Sequence, residues 1–218
     1  MSTTSAPHGA RLVLATHNAG KVRELRALLA DAPGLQGLDL EAAVRDAAAA
    51  GCPVVAETGV TFEENALIKA RAVADATGLP AVADDSGLAV DVLGGAPGIF
   101  SARWAGAQSS DARNLHLLLE QLADITAEHR GAAFVCAAAL VTPDGQETTR
   151  IGRLEGTLLG APRGEGGFGY DPILQPTGET RSCAELTMAE KNAISHRGQA
   201  FAALREHIAA ALQGAGQR

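Results

Sequence analysis

The sequence predicts an α/β chain, on three observations. Short apolar runs alternate with stretches of helical period: 11–16 precedes 22–30, and 66–77 precedes 79–83. A long apolar run, 132–142, is followed by Asp144-Gly145 and a returning segment, 147–158, which reads as a hairpin. The 218 residues are 46% hydrophobic and 20% charged, ordinary values for one large domain or two small lobes with a real core.

Composition also excludes. Aromatics are only 3%, so the core must be built from Ala, Leu, Val and Ile, and a stacking surface for single-stranded nucleic acid is not expected. The net charge of -7 comes without a basic tail or stripe, which disfavours duplex binding. An anionic small substrate stays open if cations are gathered locally or a metal is bound. Cys52, Cys136 and Cys183 have no metal-type spacing and read as reduced thiols of a cytosolic protein. Residues 1–10 lack the basic and apolar regions of a signal peptide and read as a disordered tail. The most apolar stretch, 132–141, is shorter than the roughly 18 residues a bilayer span needs.

In order along the chain, Arg11 to Thr16 is a buried strand and His17 to Lys21 a turn. Val22 to Ala30 is a helix with Val22, Leu25, Leu28 and Leu29 on one face. Strand, small polar loop and helix N-terminus make a phosphate-binding geometry, to which Lys21 adds charge. It is not a Walker A loop, since Val22 stands where Ser or Thr is needed. A solvated first-turn lysine is the plain alternative. The stretch DAAAAGCPVVAE, 46–57, gives a short helix and a strand. Thr61 and Glu64 have capping-box spacing, and the helix runs to Thr77 before Gly78-Leu79-Pro80 stops it. Its packed face is Ala66, Ala70, Val73 and Ala74, with Lys69 and Arg71 off it. Glu57, Glu63 and Glu64 are metal ligands or else solvated acids at a helix start.

The stretch Ala81 to Gly106 is the centre of the chain. Leu79 to Ala83 is apolar, Asp84-Asp85-Ser86-Gly87 follows, and Leu88 to Val92 is apolar again. Adjacent acids at the end of a buried strand need a cation, and a hard metal with oxygen ligands is the obvious one. Asp-Asp-Ser-Gly is equally good turn chemistry. Ser109 to Asn114 opens a helix reaching about Ala123, with a stripe of Leu115, Leu118, Leu119 and Leu122. His129 and Arg130 lie in the next connection with no partner visible in the sequence.

Gly164, Gly166 and Gly169 form G-x-G-x-x-G, but Pro172 forbids a following helix, so the dinucleotide reading is rejected. Phe168 between glycines is either a ring presented for a flat ligand or ordinary core. The last helix starts at another capping box, Thr187 to Glu190, and places Lys191 and Ser195 on one face. Ser195, His196 and Arg197 are a donor-rich cluster suited to the acceptors of a base, or a solvated segment. Phe201, Leu204, Ile208 and Leu212 continue the helix as core. A Ser/His/Asp hydrolase lacks its elbow here. A two-carboxylate glycosidase leaves Lys21, Lys69, Lys191 and Arg197 without work.

Together these motifs resemble the inosine/xanthosine triphosphate pyrophosphatases, the Ham1-like family. The matching stretches are Thr16 to Lys21, Glu57 to Asn65, Asp84 to Asp91, Gly94 to Gly98, Ser101 to Arg103, Gly166 to Pro172 and Ser195 to Gly198. The resemblance implies an elongated, two-lobed α/β fold over 11–214, with a mixed twisted sheet flanked by helices and a nucleotide cleft between the lobes. It implies a cytoplasmic homodimer that uses Mg²⁺. The reaction implied is hydrolysis of ITP, dITP or XTP to the monophosphate and pyrophosphate. Asp85 is then the general base and a metal ligand, Glu57 the second ligand, and Asp84 a support. Thr16, His17, Asn18, Ala19, Gly20 and Lys21 surround the triphosphate, and Ser86 contacts substrate. Phe168 stacks on the purine, with Gly169, Tyr170 and Asp171 shaping that wall. Lys191, His196 and Arg197 donate to the 6-oxo group, where adenine would present a donor instead. The rivals are a pyrophosphatase for another modified nucleotide, such as a methylated base, and a silent nucleotide-binding module. No nucleic acid polymer or membrane is expected as a partner.

Overall fold

The computed structural model describes residues 9–16, 19–30 and 32–214, with the side chains of 19–21 and 24 outside that description. The expected tail falls mostly on residues 1–8, which lie outside it too. In chain order the elements are β1 (Leu12–Leu14), α1 (Ala19–Ala30), α2 (Leu40–Ala43), β2 (Val44–Asp46), α3 (Phe62–Thr77) and β3 (Ala81–Val90). There follow α4 (Asp111–Gln121), β4 (Gly131–Val141), β5 (Glu147–Leu158), β6 (Leu174–Pro176), α5 (Met188–Ile194) and α6 (His196–Gly214). Six strands form one sheet in the order β2-β1-β3-β4-β5-β6. It is mixed, as expected: β1 runs parallel to β2 and β3, while β6 is antiparallel to β5.

The chain divides into two compact units. One holds the described residues of Met1–Asp85, Ala137–Ile151 and Ala200–Arg218; the other holds Ser86–Cys136 and Gly152–Gln199.

In the first unit α3 is set by its ends. Thr61 Oγ1 accepts the Glu64 amide at 3.1 Å, and Glu64 Oε2 reaches back one residue beyond the usual box, to the Val60 amide at 2.6 Å. Gly78, at φ +66°, closes the helix in the left-handed region. The predicted face is buried and packs with Ala81, Ala83, Ala137 and Ala139 of the strands. Methyl-sized side chains on both surfaces make this core one of close approach rather than of bulk. The 46–57 stretch departs from expectation. Four alanines before Gly51 are too few to nucleate a helix. They form a turn in which Asp46 Oδ1 accepts the Ala49 amide at 2.6 Å. Val54 stands 81% exposed and is in no strand.

In the second unit the core is bulkier: Leu88, Leu115, Leu118, Leu122, Phe134 and Ile173 pack together. Ser110 caps α4 by accepting the Arg113 amide, within the stretch expected to open that helix. Arg130 proves to have partners: it is 8% exposed and donates to the carbonyls of Leu122, Ile125 and Leu159. A cation beside the last turn of α4 also suits the helix dipole.

Two further expectations are corrected. Asp84-Asp85-Ser86-Gly87 is no turn; β3 runs through all four residues. The last helix is not continuous: Ser195 is extended, at φ -64° and ψ 141°, so α5 stops and α6 restarts at His196. Ser195 Oγ accepts the Gly198 amide at 3.0 Å and thereby caps α6. Lys191 and Ser195 therefore do not share one helix face.

Candidate active site

Side chains on β3 alternate in direction, so Asp85 falls on the same face as Ala81 and Ala83, the face that α3 covers. Asn65 and Lys69 lie four residues apart on α3 and both reach it. Asn65 Nδ2 donates to Asp85 Oδ2 at 3.1 Å, and Lys69 Nζ to Asp85 Oδ1 at 3.4 Å. The same ammonium donates to Glu57 Oε1 at 2.6 Å. Asn65 is fully buried, and its Oδ1 accepts the Gly59 amide at 2.8 Å, which ties the Glu57 loop to the helix. A Cβ at Gly59 would stand 2.8 Å from that oxygen, so only glycine allows the approach.

Burial raises the Asp85 carboxyl above its ordinary pKa, and the charge of Glu57 adds to this; Lys69 and Asn65 offset part of it. Burial works against the charge on Lys69, but Asp85, Glu57 and Asp84 outweigh it and hold the ammonium above its ordinary pKa. Glu57 and Asp85 thus converge on one cation position. That donor set fits Mg²⁺, which takes one or two carboxylates and fills its shell with water and phosphate. Among the described residues no group of three or more His, Cys, Asp or Glu gathers into an all-protein cage.

Of the other expected residues in this unit, Asp84 is 5% exposed on the opposite face of β3. Thr16 is half-buried just after β1. His17 and Asn18 lie outside the described residues; Ala19, Gly20 and Lys21 are described only as the backbone that opens α1. The helix therefore starts at Ala19, three residues before the predicted Val22, and its open amides follow the loop.

The second unit builds a different group. Phe168 is 69% exposed, which removes the core alternative. Its amide donates to Asp171 Oδ2 at 2.8 Å, and Lys191 Nζ donates to the same oxygen at 2.5 Å. The Lys191 ammonium also sits 4.9 Å from the centre of the Phe168 ring, a cation–π contact. Asp171 is 2% exposed, and a Cβ at Gly167 would meet its Oδ2 at 2.0 Å. The glycine-rich run is thus shaped by close approach to a carboxylate, and β6 rather than a helix follows it. Tyr170 is 5% exposed and its hydroxyl donates to the Ser101 carbonyl at 2.9 Å, so it anchors the loop from within. Gly169 donates to Asp111 Oδ2 at 2.8 Å. His196 packs on Phe134, ring centres 5.2 Å apart, at the start of α6, and half-buried Arg197 follows it. Ser86 is half-buried on β3.

Asn65, Lys69 and Asp111 are the residues to which sequence reasoning gave no role. The first two had a signal: a polar pair at helical spacing beside an apolar face. Asp111 had none, because its contact spans 58 residues.

The fold and these groups define an α/β protein with a half-buried carboxylate pair in one unit and an aromatic and cationic group in the other. The chain belongs to the Ham1 family, whose model matches residues 12–207. It is 68% identical over 194 residues to a Streptomyces coelicolor protein named dITP/XTP pyrophosphatase, covering 89% of this chain and 94% of that one. Among solved structures, a HAM1 protein from Coxiella burnetii matches with a TM-score of 0.80 at 41% identity, over 93% of this chain and 98% of that one. A Mycobacterium abscessus structure titled nucleoside-triphosphatase / dITP/XTP pyrophosphatase matches with a TM-score of 0.74 at 49% identity, over 88% of this chain and 97% of that one. Among the described residues no helix is long and apolar enough to cross a membrane.

Proposed function

We propose that this chain is a Mg²⁺-dependent nucleoside triphosphate pyrophosphatase that hydrolyses ITP, dITP and XTP to the monophosphate and pyrophosphate. Its role is to clear deaminated purines from the nucleotide pool. The observation that carries the reading is Asp85: half-buried, raised in pKa, and held by Asn65 and Lys69 beside Glu57. The names of the relatives support the substrate class.

A carboxylate with raised proton affinity is better matched to accepting a proton from water. Asp85 takes that proton while the water oxygen bonds to phosphorus and the bond between the α and β phosphates breaks, releasing pyrophosphate. Glu57 and Asp85 would hold Mg²⁺, which when bound supplies positive charge against the polyphosphate. Asp84 supports the pair from the neighbouring position. Thr16, His17, Asn18, Ala19, Gly20 and Lys21 receive the triphosphate at the opening of α1, and Ser86 contacts substrate. Phe168 stacks on the purine, and Gly169, Tyr170 and Asp171 hold it there. Lys191, His196 and Arg197 donate to the 6-oxo group; adenine would set donor against donor, which lowers its rate by orders of magnitude. Residues 11–214 act as one catalytic domain of two lobes, in a cytoplasmic homodimer.

The test is pyrophosphate release from ITP, with ATP and GTP beside it, with and without Mg²⁺. Mg²⁺-dependent release from ITP alone is expected. Release of inorganic phosphate would overturn the bond assignment, and equal rates on all three nucleotides would overturn the base assignment.

A further inference from the structure

Phe168 is an aromatic ring left largely in solvent on a backbone that is loose in itself. Gly167 and Gly169 flank it at φ +73° and +60°, with no side chains to restrict them. Two carboxylates restrain this segment through successive amides: Asp171 accepts from Phe168 and Asp111 from Gly169, each at 2.8 Å. Asp171 belongs to the same loop and is also engaged by Lys191. Asp111 comes from elsewhere, the first turn of α4 behind the Ser110 cap. A helix dipole alone favours an acid in that turn. It does not aim the acid's oxygen at one particular amide of a distant loop. The Tyr170 hydroxyl, donating to Ser101, fixes the loop on the other side of Gly169.

We propose that Asp111 is a positioning residue for purine recognition: by holding the Gly169 amide it fixes the Phe168 ring at one angle, ready for a flat base. The inference rests on the reading of Phe168 as the purine platform. Asp111 itself touches neither phosphate nor the reacting atoms, so its loss acts on capture of the base and not on the chemical step. An unrestrained glycine backbone must be ordered each time a base binds, which weakens binding.

The test compares the full-length wild type with Asp111→Ala and Asp111→Asn. Amide hydrogen exchange over 166–171 without substrate reads the restraint directly. Steady-state kinetics with ITP reads its use. Competitive inhibition by inorganic tripolyphosphate, which has no base, reads the phosphate end. In Asp111→Ala, exchange over the segment speeds up, and KM for ITP rises on the order of tenfold, equivalent to about 1.4 kcal/mol. Both kcat and the tripolyphosphate inhibition constant stay within about twofold. Asp111→Asn keeps a side-chain carbonyl acceptor and restores most of the loss. Unchanged exchange or an unchanged KM for ITP in Asp111→Ala overturns the proposal. So does equal weakening of ITP and tripolyphosphate, the mark of a general disturbance. A wild type inert toward ITP overturns the platform reading instead.

Discussion

The two groups of functional side chains are built by opposite means. Around Asp85, regular elements do the placing: strand alternation turns the carboxylate toward α3, and helical spacing brings Asn65 and Lys69 to it. Around Phe168 no regular element presents the ring; carboxylates pin backbone amides of a glycine-rich loop instead. Side chains carried by a strand and a helix inherit the rigidity of a packed core. A loop must be tied down bond by bond. Changes at the first group should therefore strike chemistry, and changes at the second should strike affinity.

The strongest way to break that contrast is Asp85→Asn. Turnover of ITP should fall by at least about 10²–10⁴, the usual value of a general base. The fold should survive, because ionised Asp85 is not a stabilising group. Its folded pKa is raised above that of an ordinary aspartate. The folded state binds the proton more tightly, and stability is lost as pH rises through the folded pKa. Melting curves at pH 7 should show the variant no less stable than wild type, with any advantage shrinking toward pH 4. On the activity side, Mg²⁺ held at Asp85 would oppose this upward shift in pKa, so the acid limb of kcat/KM should move to lower pH as Mg²⁺ is raised. Retention of near-wild-type turnover would remove Asp85 from the mechanism.

Next is Phe168→Ala. Stacking of an aromatic on a base is worth about 1–3 kcal/mol, so KM for ITP should rise by roughly tenfold or more. The melting temperature should hold, because the ring is 69% exposed. A collapse in kcat with unchanged KM would show that the loop acts on chemistry and would erase the contrast. Ala70→Leu probes the scaffold beneath Asp85. Inserting bulk into a core of alanines should destabilise by about 1–3 kcal/mol, measured by denaturant unfolding. No loss would mean that α3 is less tightly set than its packing implies. The smallest effect is expected from Arg71→Ala. Arg71 bonds Glu147 through two nitrogens, at 2.6 and 2.7 Å, but at the surface. Removing that pair should shift stability by roughly 0–1 kcal/mol, and less in high salt.

Much of the fold was legible because local signals agreed. The Thr61 and Thr187 caps, the alanine face of α3 and the Asp144-Gly145 hairpin each follow from spacing alone. Where reading failed, distant contacts decided. Asp84 to Gly87 has turn chemistry, yet the pairing of β3 overrides it, and the carboxylate this buries is partnered by a helix 16 to 20 residues earlier. Arg130 finds its acceptors on either side of its own segment, in carbonyls no sequence pattern marks. The break at Ser195 was hidden because Ser, His, Arg and Gly suit a helix start as well as a helix interior. For the site, the motif stretches came with the family resemblance. Asn65, at the end of one such stretch, Lys69 and Asp111 hold these groups in place, and what each of them holds came only with the fold.

Asn65 carries a consequence for how the molecule ages. Asparagine side chains slowly lose their amide nitrogen to water, and the product is an acid. Here that nitrogen is the group donating to Asp85, while the oxygen is committed to Gly59. A deamidated Asn65 would set one carboxylate against another where a donor had stood, in surroundings closed to solvent. The helix and the complete burial that shield Asn65 from this reaction therefore also set a working lifetime. A stored sample should lose activity at this position only after its fold has begun to open.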